Sequence, residues 1–314
     1  MRITTLTVNP CIDRTIVIGH LEHGKSHRIE KTILDFSGKG INVALALAEL
    51  RADVTAVCAD HEDGVEQDFF ASHKNISSVL IPAKGATRVN IKLFEKQTHH
   101  MTEFNERGTP ADDAQVKHFK AALCNLAKSS DLVVLSGSLS PGFSPDFYRE
   151  IGQMLQQMNV PFILDASKEV LRYGIESSPI LIKPNAQEYE ECFGIVPTAT
   201  EVFCRSCKTQ LEVHGILYAV ISLGEEGSIL VGSKSAWKAD VPPVEVKGLQ
   251  GAGDAMVAGL AYMLANDITD EEMLLRFAVA CATATVELPG THMCTLEGIH
   301  KYLPKISIKE IVRW

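Results

Sequence analysis

The chain has 314 residues, of which 46% are hydrophobic and 22% charged, the composition of a globular protein with a large core. Its net charge of −9, with acids and bases interspersed, argues against nucleic acid as a partner, because binding a phosphate backbone needs a basic surface, but leaves room for a small phosphorylated ligand. No run approaches 18 consecutive apolar residues and no basic-then-apolar leader opens the chain, so we expect no membrane span, no signal peptide and a cytoplasmic location.

From the N-terminus, short apolar runs alternate with helical patterns. Strands are predicted at Ile3–Val8, Val54–Cys58, Leu132–Leu135, Phe162–Asp165, Ile180–Ile182, Leu217–Ser222 and Ser228–Val231. Helices are predicted at Ile41–Glu49, Asp112–Lys128, Pro145–Met158, Thr200–Val213, Asp254–Ala265 and Glu271–Val286. Strands with little alternation, separated by helices, indicate an α/β fold with a buried, mostly parallel sheet. Two segments, 12–36 and 86–106, instead alternate polar and apolar residues without helices, as in Arg88–Phe94. They are expected to pair into a small sheet forming a lid over a site at the strand C-termini. The eight cysteines are scattered, and the Cys204-Arg-Ser-Cys207 pair lies in a predicted helix with only His214 nearby, so they are expected to be structural thiols.

Several loops carry candidate chemistry. Asp13, after the first strand, is placed either to accept hydrogen bonds from sugar hydroxyls or simply to cap a turn. Ser37-Gly38-Lys39-Gly40-Ile41-Asn42 leads into a helix. It is neither a dinucleotide fingerprint, since Val43 stands where a third small residue belongs, nor a Walker A loop. It offers backbone N–H groups, the Lys39 cation and the Asn42 amide, or else needs glycine only for packing. Ser138 lies in a loop beyond the strand 132–135, but the surrounding sequence is not a serine-hydrolase elbow, because Ser140 stands where glycine is required. Lys183-Pro184-Asn185-Ala186-Gln187-Glu188 combines a point charge for phosphate with Asn185 and Glu188, which suit either a hydrated Mg²⁺ or the capping of a helix. Ser222, Gly224 and Gly227 sit in a hairpin that a nucleotide can approach.

The strongest signal is Gly251-Ala252-Gly253-Asp254. A small-residue turn enters a helix whose first N–H groups lack partners and whose dipole attracts an anion, with a carboxylate beside it. That arrangement suits transfer of a phosphoryl group to a hydroxyl. The plainer alternative is an Asp N-cap. At a helix N-terminus, Asp254 is expected to have a low pKa.

Taken in order, these motifs resemble those of the ribokinase-like carbohydrate kinases of the PfkB type, over essentially the whole chain from Thr7 to about Tyr302. The segments 38–43 and 87–92 look most like those of bacterial 1-phosphofructokinases, with tagatose-6-phosphate kinases next. The resemblance implies a single ribokinase-like domain over 1–314, a three-layer α/β/α sandwich with a β lid. It implies an enzyme using ATP and Mg²⁺ to phosphorylate a ketohexose phosphate: fructose 1-phosphate first, with tagatose 6-phosphate or fructose 6-phosphate as alternatives. By the same resemblance Asp254 is the base, and Gly251, Ala252 and Gly253 form the anion hole. Asp13, Gly38, Lys39, Asn42, Asn90 and Ser138 hold the sugar, and Lys39, Arg28, Arg88 and Lys92 its phosphate. Lys183, Asn185, Ser222, Gly224 and Gly227 face the nucleotide, Glu188 the Mg²⁺ through water, and the partner is a second copy paired through the lid. Ser37, where the family usually has glycine, and Leu249 and Gln250 before the anion hole depart from the pattern. They motivate a non-enzyme alternative, a sugar-phosphate or nucleotide sensor on a kinase scaffold.

Overall fold

A computed structural model describes every residue of the chain except His99 and Leu249. Its larger sheet has ten strands among the described residues. Seven of them, β1 (Arg2–Thr7), β4 (Asp53–Asp60), β5 (Ser77–Pro82), β8 (Leu132–Ser136), β9 (Phe162–Asp165), β10 (Leu181–Ile182) and β11 (Tyr218–Ser222), run parallel. Then β12 (Ser228–Val231), β13 (Ser235–Asp240) and β14 (Ser307–Arg313) extend one edge antiparallel, giving the order β14-β13-β12-β11-β10-β9-β8-β1-β4-β5.

The lack of polar alternation in the central strands has a direct cause. Successive side chains point to opposite faces, and both faces are covered. Ile3, Val54, Ala56 and Val134 pack into one core with helices α1 (Lys39–Glu49), α8 (Ala252–Leu264) and α9 (Glu271–Val286). Leu6, Val57, Val133 and Leu135 pack into the other, with α3 (Asp113–Ala127), α4 (Phe147–Gln157) and α7 (Glu201–His214). Cys204 and Cys207 are buried in the second core, and no cluster of metal-ligating side chains exists among the described residues. Several helix starts follow ordinary capping chemistry: Asp112, Thr200 and Asp270 each accept from the backbone N–H three residues on. No helix is long and apolar enough to cross a membrane, among the described residues.

The smaller sheet holds the two alternating segments. Its order is β3 (Lys31–Ser37), β2 (Cys11–Ile18), β6 (Arg88–Glu95), β7 (Met101–Phe104). Asp13 on β2 lies opposite Asp35 of β3 and Asn90 of β6, so the register brings three polar side chains to one place. Elsewhere the sheet leaves Leu34 and Phe104 more than half exposed, as is Ile29 just before β3.

The segments leading into β6 and out of β7 are fastened to one loop of the main body, between β4 and helix α2 (Val65–Ser72). The fully buried Glu66 carboxylate accepts from Thr87 Oγ1 at 2.9 Å and lies 2.8 Å from His61 Nδ1, while His61 Nε2 meets Thr109 Oγ1 at 3.2 Å. Asp63 accepts from both the N–H and the hydroxyl of Thr87. Both connections of this half of the small sheet are thus tied to a buried polar knot on the main body.

Candidate active site

The C-terminal ends of β1, β8 and β9, with the near edge of the small sheet, enclose a cavity of about 850 Å³. Asn9, Lys39, Arg88, Ser138, Lys168 and Glu188 are among its lining residues. Such a position, beyond the carboxyl ends of parallel strands, is where α/β sheets bind ligands.

Asp165, the last residue of β9, lies at the centre of the charge arrangement and is 1% exposed. Lys39 Nζ donates to both its carboxylate oxygens, at 3.1 and 3.2 Å, and the Lys183 ammonium stands 3.6 Å away. Burial works against the Lys39 charge, but Asp165, with Asp254 and Glu188, outweighs it and raises the lysine's pKa. Asp165 was not among the residues singled out from sequence. The signal available was an Asp closing a buried strand, and only the fold shows that two lysines converge on it.

Lys39 is the first residue of α1, and glycines set the helix where it is. A side chain at Gly40 would run into the Leu6 carbonyl, and one at Gly38 would meet the Thr7 methyl at 2.7 Å. The packing explanation for this motif is therefore met by the structure. One turn further on, Asn42 donates to Asp254 Oδ2 at 2.8 Å and also meets the Ser37 hydroxyl.

Helix α8 begins at Ala252, two residues earlier than the sequence pattern predicts. Gly251 is its N-cap, at φ 75, and any side chain there would strike Met293. Asp254 is thus the third residue of the helix, not its cap, and its carboxylate receives the Asn42 amide. The backbone N–H groups of Ala252, Gly253 and Asp254 have no partner within the helix. A methyl on Gly253 would stand 3.4 Å from Lys183 Nζ, so that ammonium lies beside the same turn. The expectation of a low Asp254 pKa is overturned. Burial pushes it above the ordinary carboxylate range; Lys39 pulls it down, Asp165 adds to the rise, and Asn42 and Lys183 lower it. The dipole is outweighed because Asp254 is only 7% exposed and close to a second carboxylate.

On the small sheet, Asp13 receives Lys92 Nζ at 2.9 Å and Asn90 Nδ2 at 3.1 Å. Facing it, Asp35 keeps one buried oxygen without a partner among the described residues; burial raises its pKa and His292 lowers it. Asp35 too was not picked out from sequence. Arg88 spends its guanidinium on the carbonyls of Pro10, Asn9 and Glu106. Asn9 links to Ser138 Oγ at 3.2 Å. Arg28 is exposed and is not among the cavity's lining residues.

Asn185 and Glu188 form a reciprocal capping box at the start of helix α6 (Ala186–Phe193), as the capping alternative required. The Asn185 N–H takes Glu188 Oε2, and no described residue bonds Glu188 Oε1. Ser222 forms a bridge with Asn185, and Gly224 and Gly227 flank the short turn joining β11 to β12. Gln250 Oε1 is buried without a partner among the described residues, and Leu249 lies outside them. Lys168, just after β9, holds φ 54, a left-handed conformation that costs a non-glycine residue about 1 kcal/mol.

Comparison with known proteins gives a consistent result. The model of the pfkB family carbohydrate kinases matches residues 6–297. The 1-phosphofructokinase of Escherichia coli (strain K12) is 35% identical over 289 residues, 91% of each chain. That of Vibrio cholerae serotype O1 is 32% identical over 314 residues, covering 99% of this chain and 97% of its own. The crystal structure of phosphofructokinase-2 from Escherichia coli in complex with substrates and products superposes with a TM-score of 0.89 at 26% identity, covering 97% of this chain and 99% of that one.

The raised pKa of Asp254 carries a stability consequence. Its folded-state pKa lies above the unfolded value, so the ionised form costs folding free energy above the folded pKa, and that cost vanishes below the ordinary carboxylate pKa. Asp254→Asn should therefore raise the melting temperature at pH 7. The gain should disappear as the pH falls toward 4, as followed by differential scanning calorimetry across pH.

Proposed function

The chain belongs to the pfkB family of carbohydrate kinases, phosphotransferases acting on a hydroxyl, and we propose that it transfers the terminal phosphoryl group of ATP to fructose 1-phosphate, forming fructose 1,6-bisphosphate. The observation that carries this reading is the convergence, at one end of the large sheet, of the Asp254 carboxylate, the free N–H groups of α8, and two ammonium groups held by one buried aspartate. The names of the relatives at 32–35% identity support fructose 1-phosphate as the acceptor.

In this mechanism the acceptor hydroxyl donates to Asp254, whose carboxylate the Asn42 amide aims. A carboxylate with a raised pKa accepts a proton more readily than the strongly acidic one expected from the helix dipole alone. The N–H groups of Ala252, Gly253 and Asp254 receive the oxygens of the transferring group, and Lys183 and Lys39 balance its charge. Asp13, Asn90 and the unpartnered oxygen of Asp35 offer acceptors and donors for sugar hydroxyls. Glu188 fits a hydrated Mg²⁺, because Oε1 remains outside the capping box and the ion needs few protein ligands when phosphates are present. Bound there, Mg²⁺ supplies charge neutralisation on the nucleotide phosphates. The small sheet acts as the lid, excluding water that would otherwise hydrolyse ATP.

The test is ATP turnover with Mg²⁺ against fructose 1-phosphate, tagatose 6-phosphate, fructose 6-phosphate and free fructose. Fructose 1-phosphate should give the highest kcat/KM, and Asp254→Asn should lower kcat by about 10³-fold with little change in KM. A preference for another phosphate would shift the acceptor, and no turnover on any would favour the sensor alternative. The exposed Ile29, Leu34 and Phe104 on and beside the lid support pairing of two copies there. Sedimentation at micromolar concentration should give a dimer, and Phe104→Glu a monomer.

A further inference from the structure

The cavity is lined by two cations that no described residue engages. Arg107 lies three residues beyond β7, on the segment returning to the main body, where its carbonyl accepts from Asn9 Nδ2 at 3.1 Å, and Lys168 lies three residues beyond Asp165 at the end of β9, so the two line one cavity from separate segments. Neither side chain forms a hydrogen bond or ion pair with any described residue. The other cations are committed: Lys39 and Lys183 to Asp165, Lys92 to Asp13, and Arg88 to three backbone carbonyls. Three carboxylates line the same cavity: Glu106 accepts from the Val89 N–H, Glu188 from the Asn185 N–H, and Glu169 bonds neither cation.

Lys168 carries a second mark. Five non-glycine residues among those described hold positive φ, and Lys168 alone of them lines the cavity. Glycine would occupy that backbone conformation without strain. A long cationic side chain retained there, at the edge of a ligand cavity, is strain associated with a binding role.

We propose that Arg107 and Lys168 together grip the phosphate that the sugar already carries, one from each side of the cavity wall. The inference rests on the sugar-phosphate kinase reading above. A phosphomonoester dianion matches one guanidinium fork and one ammonium point charge. Because the two cations come from separate segments of the cavity wall, only an acceptor that carries the anion engages both, and a free sugar engages neither. The grip thus selects phosphorylated acceptors by their charge.

The experiment compares the unmodified protein with Arg107→Gln, Lys168→Gly and the double variant. It measures KM for fructose 1-phosphate, KM for ATP and melting temperature, with calorimetric titration of fructose 1-phosphate and of free fructose in the absence of ATP. Each single variant should raise the KM for fructose 1-phosphate roughly tenfold, and the double variant more, with the KM for ATP within about twofold. Lys168→Gly should do so without lowering the melting temperature, since it relieves the left-handed backbone. An unchanged KM for fructose 1-phosphate in the double variant overturns the grip, and a parallel rise in the KM for ATP assigns the two cations to the nucleotide instead. If the unmodified protein phosphorylates no sugar phosphate, the kinase reading itself fails. The titrations then decide the grip alone: fructose 1-phosphate binding that weakens in both single variants upholds it, and binding that is absent or unaffected overturns it.

Discussion

A carboxylate buried at the end of β9 governs the rest of the site. An isolated ion there would cost several kcal/mol, and Asp165 is tolerated because two ammonium groups reach it, from the start of α1 and from the end of β10. This requirement fixes Lys39 and Lys183 in place. Fixing Lys39 fixes the first turn of α1, so Asn42 meets Asp254 one turn on, and Asn42 joins α1 to α8. Under the proposed function the transferred phosphoryl group enters a frame whose charges are already arranged, which leaves little reorganisation for the moment of reaction.

The small sheet supplies a different kind of constraint. Its register brings Asp13, Asp35 and Asn90 together, and the Glu66–His61 knot holds both connections of β6 and β7 to the main body. One sheet is packed on both faces, while the other is solvated on part of its surface and tied to the main body by the knot. That division suits a site that must open for two ligands and exclude water once they are bound.

Much of this was legible in the sequence, for physical reasons that also explain the gaps. The central strands announced themselves because two covered faces demand uninterrupted apolar residues, and the small sheet's strands because one open face demands alternation. Strands β5, β13 and β14 escaped notice: β5 and β14 are the two edges of the large sheet, and β14 mixes Lys, Glu and Arg with its apolar residues. The turn at 251–254 was legible from its small residues, but the ionisation of Asp254 was not. A helix terminus favours the anion, yet burial and Asp165 act in the opposite direction, and neither can be read from neighbours in the chain. Asp165 went unremarked for the same reason, since its partners lie 126 residues before it and 18 residues after it. Arg88 and Lys92 were recognised as cations, but their partners, the carbonyls of Asn9, Pro10 and Glu106 for one and the Asp13 carboxylate for the other, became visible only in the fold.

The most direct test of the account is the steady-state rate of ATP-dependent phosphorylation of fructose 1-phosphate by Asp165→Asn, beside the unmodified protein. Losing the carboxylate should release both ammonium groups from their common anchor and lower kcat by about a hundredfold while the protein stays folded. A kcat within about threefold of the unmodified protein would contradict the claim that this buried charge organises the site.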